Sequence, residues 1–440
     1  MDGTGKNCDG VTAFFMLLIQ NMPCTIPVSQ TNISTVDGRK LLTSWLGAIV
    51  NGLHFKALDN SVANSRSNIH AHYDLSNELF KIFLDKDLMM YSCALYETDI
   101  VTDTIDGDVA SNAEKSLATL DPHTDPHTDA LTDALTDAPK VPVNGHADMH
   151  NGTMHNGTAA YSQSVVTTAS PFAHRGPKLV FKGSLESAQM RKVDALLDRL
   201  GAVTPAHSLL DIGFGWGGIC IRAAERFGCK VHGITLSTEQ KALAEEKVQA
   251  KGLSHLITFE LVDYRVFAKR CLSRKLRFDR IVSCEMIEAV GHNHLKEFYA
   301  AVDSMLANDG VFVMQAITMP DSRYPVYVNS ADFCNTIIFP GGCCPSLSAL
   351  LDAMATETTL HLENCININL HYAETLREWR RRFNRALPKV LDQGFDDTFI
   401  RLWNLYLCYC EAGFEAQILN LQILTFSRVG NMNMVWSRSI

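Results

Sequence analysis

The sequence predicts an α/β fold, a mostly parallel sheet with helices on both faces. Strand-like apolar runs at 208–212, 230–235, 256–261, 278–284 and 310–318 alternate with helical stretches at 217–227, 238–251 and 293–307. Strands separated by helices of this length pair in parallel, because each crossover helix carries the chain back to the same end of the sheet. The first strand also ends in Asp211-Ile-Gly213-Phe-Gly215-Trp-Gly217-Gly218, a glycine-rich turn that leads into a helical pattern. Glycines at a strand-to-helix junction let backbone approach a ligand, and ligands of such sheets bind beyond the carboxyl ends of the strands.

In chain order, residues 1–60 show little periodicity apart from a short amphipathic stretch at 40–58. Residues 61–98 mix aromatic and polar groups. Here Asn77-Glu-Leu-Phe80 runs into an apolar helical pattern and then into Met89-Met-Tyr91-Ser92-Cys93, a turn-like segment rich in groups that contact ligands. This region is expected to cover the site. From 99 to 180 the composition changes to Asp-Pro-His-Thr and Asp-Ala-Leu-Thr tetrads, then to Asn-Gly and Ser/Thr-rich sequence. So little apolar area cannot offset the entropy of ordering, and a disordered insertion is expected. Residues 181–430 form the expected main domain, opening with helical periodicity from 184 to 200. After Thr318 come an aromatic, cysteine-rich loop at 332–345, helices at 371–387 and 396–412, and a terminal strand at 417–428. These would lie over the open edge of the site, with 431–440 as a tail.

The chain carries a net charge of −9 over 440 residues. Eleven acidic against four basic residues place −7 of it within 99–180. No broad basic face remains for phosphate neutralisation, so nucleic acid is not an expected partner. The cysteines are scattered without C-x-x-C pairs or zinc-ligand spacing, which fits reduced thiols in a cytoplasmic protein and no metal site. The apolar run at 11–19 is too short to span a bilayer.

Gly213, Gly215 and Gly218 also fit the G-x-G-x-x-G spacing of dinucleotide folds. Such folds close their second strand with a carboxylate that holds the ribose hydroxyls, whereas here the second strand, Lys230–Thr235, ends in a hydroxyl. Asp211, just before the first glycine, instead suits S-adenosylmethionine. That ligand has no pyrophosphate, but it carries a sulfonium and an ammonium for a carboxylate to neutralise.

Several motifs together resemble one family: His72-Tyr-Asp74 with Asn77-Glu-Leu-Phe80, Tyr91-Ser-Cys93-Ala, Ser187-Ala-Gln189, Leu210-Asp-Ile-Gly-Phe-Gly-Trp-Gly-Gly218, Gly233-Ile-Thr-Leu-Ser237 with Glu239-Gln240, Asp263-Tyr-Arg265, Glu288-Ala-Val-Gly291 and Phe426-Ser-Arg428. Over residues 66–97 and 183–430 the chain is similar to the cyclopropane fatty acid synthases and mycolic acid cyclopropane synthases, which are S-adenosylmethionine-dependent methyltransferases. The resemblance implies a class I methyltransferase fold, Rossmann-like, with a seven-stranded mostly parallel sheet and helical cover elements. It also implies that Tyr91 and Ser92 close over the sulfonium and that Asp211, Gly213 and Gly215 cradle the methionine part. Thr235, Leu236, Ser237 and Gln240 would then line the ribose and adenine, with Asp263, Tyr264 and Arg265 flanking the adenine.

The chemistry implied by the resemblance is methyl transfer to the double bond of an unsaturated acyl chain, leaving a carbocation that loses a proton as a cyclopropane ring closes. An alkene is a weak nucleophile, so the site needs close alignment, a dry pocket and a base. The resemblance assigns the base to a bicarbonate ion held by Cys93, Glu288, Gln315, Ile317 and Tyr372. Gln315 and Phe214 depart from the common pattern, which has histidine and cysteine there. The implied substrates are acyl chains of membrane phospholipids, met by peripheral contact from the cytoplasm, and a homodimer is among the expectations. Arg377, Arg380, Arg381, Arg382 and Arg385, grouped on one helix, are candidates for meeting anionic headgroups. The rival readings are a methyl-branched product, an amine acceptor and a non-catalytic binding protein.

Overall fold

The computed structural model describes residues 11–12, 60–62, 64–65, 76–101, 178–432 and 434. The amphipathic stretch at 40–58, the His72-Tyr-Asp74 motif and nearly all of the expected insertion lie outside these residues. The chain divides into two compact units, Met1–Thr98 with Phe181–Ile440, and Asp99–Val180. Of the second unit, residues 99–101 and 178–180 are described. They belong to β1 (Glu97–Val101) and β2 (Lys178–Lys182), which pair in a two-stranded sheet.

The larger unit is built on β3 (Ser208–Ile212), β4 (Lys230–Thr235), β5 (Ile257–Leu261), β6 (Phe278–Cys284), β7 (Leu306–Thr318), β8 (Leu360–Asn367) and β9 (Asn420–Arg428). Their order in the sheet is β5-β4-β3-β6-β7-β9-β8. From β5 to β7 all neighbours are parallel, and β9 runs antiparallel to both of its neighbours. The expected mostly parallel sheet is present, with one strand that the apolar runs did not mark. That strand, β8, is half-exposed at the sheet edge, which weakens its apolar alternation.

The helices of seven residues or more among the described residues are α1 (Asn77–Phe83), α2 (Leu185–Asp198), α3 (Gly218–Phe227), α4 (Thr238–Ala250), α5 (Tyr264–Arg274), α6 (Leu295–Met305), α7 (Leu347–Glu357), α8 (Asn369–Arg385) and α9 (Asp397–Glu415). Ser184, Ser237, Asp263, Ser346 and Asp396 cap α2, α4, α5, α7 and α9 by accepting from backbone N–H groups that the first turn leaves unpaired. Side chains alternate across each strand, so the sheet carries a core on each face. Leu209, Val231, Val282 and Val313 pack beneath α1, α2, α3, α8 and α9, whereas Leu210, Ile234, Ile281 and Phe312 pack against α5, α6 and α7.

Strand order reverses beside β3. β4 and β5 extend the sheet to one side while β6 and β7 extend it to the other, so the crossovers diverge and leave a crevice between the carboxyl ends of β3 and β6. The glycine turn enters from one side of that crevice and the Cys284-Glu285 step from the other.

The arginines of α8 correct the headgroup expectation. Arg377 pairs with Glu374, Glu411 and Glu415, Arg380 with Glu411, Arg381 with Glu374 and Glu378, and Arg382 with Glu186 and Glu378. Four of the five guanidiniums therefore face carboxylates of this chain, and they tie α8 to α9 and α2 instead of presenting a basic surface. Among the described residues no helix is long and apolar enough to cross a membrane.

Phe214 has a packing explanation. Its ring stacks on Phe259 of β5 with centroids 4.3 Å apart, over Gly233 of β4. A Cβ on Gly233 would fall 2.7 Å from Phe214 Cδ1 and 2.8 Å from Phe259 Cδ1. The two rings fill the volume that a side chain would occupy. Gly233→Ala is therefore expected to destabilise the fold by about 1–3 kcal/mol through overpacking. Equilibrium denaturation checks this, and a change under about 0.5 kcal/mol, the scale of an ordinary surface substitution, would contradict it.

Candidate active site

A cavity opens at the crevice, with Tyr91, Ser92, Gly213, Thr235, Glu285 and Met286 among its lining residues. Its floor is set by the reversal at Gly213, which has φ +83° and donates its N–H to the Ile234 carbonyl at 2.9 Å. A Cβ at Gly213 would stand 2.6 Å from Met286 Cγ, so only glycine lets the loop meet the β6 side of the crevice. The cover element is anchored to the same loop: the Trp216 indole donates to Asn77 Oδ1 at 2.7 Å, and the Phe80 ring lies 5.0 Å from Trp216 and 5.1 Å from Tyr91. The segment from Leu88 to Ser92 forms no helix or strand, so its backbone groups need other partners. Asp85 accepts from the N–H groups of Leu88, Met89 and Met90, and Gln189 Nε2 donates to the Ser92 carbonyl at 2.7 Å.

Most of the expected cofactor residues meet in this cavity. Tyr91, Ser92, Gly213, Gly215, Thr235, Leu236, Gln240 and Tyr264 line it. Asp211, next to the wall residue Ile212, is fully buried. Its Oδ2 accepts from the Cys220 thiol at 3.3 Å, while among the described residues its Oδ1 has no hydrogen-bond partner. Burial pushes this carboxyl up to about 7. A buried carboxylate with an open oxygen is an incomplete arrangement, and a cationic ligand completes it. The Tyr264 hydroxyl is likewise buried and without a partner among the described residues. The site thus fits S-adenosylmethionine: Asp211 would hold its cationic amino-acid end, and Thr235, Gln240 and Tyr264 its nucleoside.

Three expected cofactor residues are placed elsewhere. Ser237 caps α4 through the Gln240 N–H. Asp263 caps α5 and is paired with Arg265, both side chains being buried. Arg265 reaches away to the Asn60 carbonyl and the Ser65 hydroxyl. Their side chains serve the fold, and none of the three lines the cavity.

Three of the five expected bicarbonate ligands converge on Glu285, an acid outside the expected set. Glu285 Oε1 accepts from the Cys93 N–H at 2.9 Å and from Gln315 Nε2 at 2.6 Å, and Glu285 Oε2 accepts from Tyr372 Oη at 2.6 Å. The donors expected to hold a bicarbonate therefore hold a carboxylate of the chain itself. Cys93 contributes its backbone, since its thiol turns to the Ala94 carbonyl and is pushed up by burial. Ile317 and Glu288 form a separate pair, the Ile317 N–H donating to Glu288 Oε1 at 2.5 Å. Burial, then the charge of Glu285, pushes Glu288 up to about 8, so near neutrality it is mostly protonated. Burial also raises Glu285, while Tyr372, the Cys93 N–H, the Lys192 charge and Gln315 pull it back. The signal available in the sequence was an acid directly at the end of the strand Phe278–Cys284, at the switch point.

The chain matches the family described as mycolic acid cyclopropane synthetase over residues 60–114 and 179–424. The chain belongs to this family. It is 33% identical over 386 residues to the tuberculostearic acid methyltransferase UfaA1 of Mycobacterium tuberculosis, a match covering 88% of this chain and 70% of that protein. It is 34% identical to a cyclopropane-fatty-acyl-phospholipid synthase of Escherichia coli, over 56% of this chain and 59% of that one. The solved structure of the cyclopropane synthase MmaA2 from Mycobacterium tuberculosis shares the fold, with a TM-score of 0.57 at 22% identity, covering 82% of this chain and 98% of that chain. This member of the cyclopropane synthetase family is an S-adenosylmethionine-dependent methyltransferase that modifies lipids.

The pH dependence of ligand binding tests the Asp211 assignment. A cationic amino group binds the ionised carboxylate, so below about pH 7 binding must displace a proton from Asp211, and affinity falls toward tenfold per pH unit. Calorimetry with S-adenosylhomocysteine is expected to show this slope. Asp211→Asn should flatten it and weaken binding about tenfold to a hundredfold, whereas an equally steep slope in the variant would contradict the assignment.

Proposed function

We propose that this chain transfers a one-carbon unit from S-adenosylmethionine to the double bond of an unsaturated fatty acyl chain of a membrane phospholipid, met by peripheral contact, and that Glu285 is the base. One observation carries the reading: the Glu285 carboxylate is gripped by three donors and stands in the wall of the cofactor cavity. Bound S-adenosylmethionine supplies an electrophilic methyl group on a positively charged sulfur. The alkene π pair forms the new C–C bond as the C–S pair leaves with sulfur, and the neighbouring chain carbon becomes cationic.

The residues of the chain then keep water away, face the cation with electron-rich groups and remove one proton. Trp379 lies 5.2 Å from the Tyr91 ring and 6.1 Å from that of Tyr372, which stacks on Phe414 at 4.4 Å. These rings are buried behind Tyr91, which lines the cavity and offers a π face to positive charge. Glu285 accepts the proton, and when that proton comes from the transferred methyl its C–H pair closes the ring. Gln315 can donate but cannot shuttle a proton, which suits an orienting role. Bicarbonate is unnecessary in this scheme, because a second anion beside Glu285 would be repelled.

A methyl-branched product is the second reading, favoured by the match to the tuberculostearic acid methyltransferase over 88% of this chain. There the proton leaves a chain carbon, whose C–H pair becomes a new C=C beside the methyl branch, and Glu285 has the same task.

Mass analysis of lipids from a monounsaturated host expressing the protein is expected to show one added CH2 on the acyl chains, with NMR separating ring from branch. No such addition would sink the acyl reading. Glu285→Gln should lower turnover about 10²–10⁴-fold while S-adenosylhomocysteine still binds. Glu285→Ala should recover part of the loss when bicarbonate is added. Undiminished turnover in Glu285→Gln would refute the base assignment.

A further inference from the structure

Lys192 is fully buried on the inner face of α2. Lysine normally keeps its ammonium in water, and burying that charge is costly unless the site uses it. Its Nζ donates to Ser92 Oγ at 2.7 Å and contacts Cys284 Sγ at 3.6 Å. Among the described residues no carboxylate lies in ion-pair contact with it, and burial keeps the Cys284 thiol neutral, pushed up to about 11. The cation therefore rests on two neutral groups. Packing alone would be served as well by methionine, so its charge needs an explanation.

The two residues that Lys192 touches adjoin the two that build the base. Ser92 precedes Cys93, whose N–H donates to Glu285, and Cys284 precedes Glu285 itself. We propose, resting on the reading of Glu285 as base, that Lys192 is a positioning residue: its buried charge keeps Glu285 in the ionised, proton-accepting form, and its bond to Ser92 fixes the peptide that grips that carboxylate.

The groups facing Glu285 come from every side. Tyr372 of α8, Gln315 of β7 and the Cys93 N–H donate to it. Glu288, pushed toward the neutral form by burial and by the charge of Glu285, faces it as well, and the Cys284 thiol is its neighbour in sequence. Lys192 supplies the cationic charge in this set, and the same charge acts on Asp211 and Asp85. Burial raises Glu285, and the donors and the Lys192 charge work against that rise. Removing the cation shifts the balance toward the protonated acid, so the acid limb of the activity profile must move to higher pH.

Single-turnover rates of methyl transfer across pH test this. For Lys192→Met the acid limb is expected to rise by about one pH unit, giving a loss that grows toward tenfold below the limb and is recovered above it. S-adenosylhomocysteine affinity, read near pH 9 where Asp211 is ionised with or without the lysine, should change less than about threefold, and Lys192→Arg should restore the wild-type limb. A limb that stays in place with a pH-independent loss assigns Lys192 to packing and overturns the proposal. Glu285→Gln is run alongside: if it turns over normally, the base reading fails first, whereas an inactive Glu285→Gln with an unmoved limb sinks the role of Lys192 alone. Lys192→Gln keeps a donor to Ser92 without the charge and should behave as Lys192→Met. If neither neutral variant folds, carboxyl-13C glutamate NMR of the wild-type protein decides: Glu285 ionised at about pH 7 supports the proposal, and Glu285 protonated there overturns it.

Discussion

A carboxylate removed from water persists in charged form only where hydrogen-bond donors replace that water. Glu285 draws its donors from three distant stretches of chain: the irregular segment at Cys93, strand β7 at Gln315 and helix α8 at Tyr372. It also occupies the left-handed region at φ +49°, a conformation that costs a non-glycine residue about 1 kcal/mol or more. Such strain is retained where the surroundings over-determine the backbone, and here the Glu285 N–H is fixed by the Gln315 carbonyl at 2.8 Å. One residue of β7 thus holds both the backbone and the side chain of the base.

Much of the remaining architecture keeps those donors in place. The parallel register of β6 with β7 sets Cys284 opposite Gln315, and a one-residue slip would turn the amide to the other face. Helix α8 presents Tyr372 and is locked by arginine–glutamate pairs to α9 and α2. The Cys93 segment is fastened at Ala94, whose N–H donates to Thr375 Oγ1 of α8 at 3.1 Å. The cofactor and proton-accepting sides therefore share one wall: Ser92 faces the cavity while the next peptide holds the base. Glu288, pushed toward neutrality by burial and by Glu285, adds little opposing charge near pH 7.

The fold was legible because its parallel strands are continuous apolar runs divided by helices of regular length, a pattern that burial on both faces imposes. β8 escaped because an edge strand in partial contact with solvent keeps no clean alternation. Gly213, Gly215 and Thr235 could be placed from spacing, since backbone close to a ligand constrains residue type locally. Ser237, Asp263 and Arg265 belong to neighbouring motifs, yet their side chains are engaged in caps and an ion pair, which the strings Gly-Ile-Thr-Leu-Ser and Asp-Tyr-Arg do not reveal. Cys93, Gln315 and Tyr372 are legible as a set through the family resemblance, which gives them an external anion as their common partner. An acid three residues before Glu288 looks unremarkable in sequence, and only the turn at φ +49° brings its carboxylate among those donors.

The central claim, that the chain carries its own base in the place assigned to bicarbonate, is tested most directly by methyl transfer from labelled S-adenosylmethionine to monounsaturated phospholipid vesicles in buffer stripped of carbon dioxide. The account predicts the same turnover by the wild-type protein with and without added bicarbonate. A rate that collapses on stripping and returns with bicarbonate would contradict it.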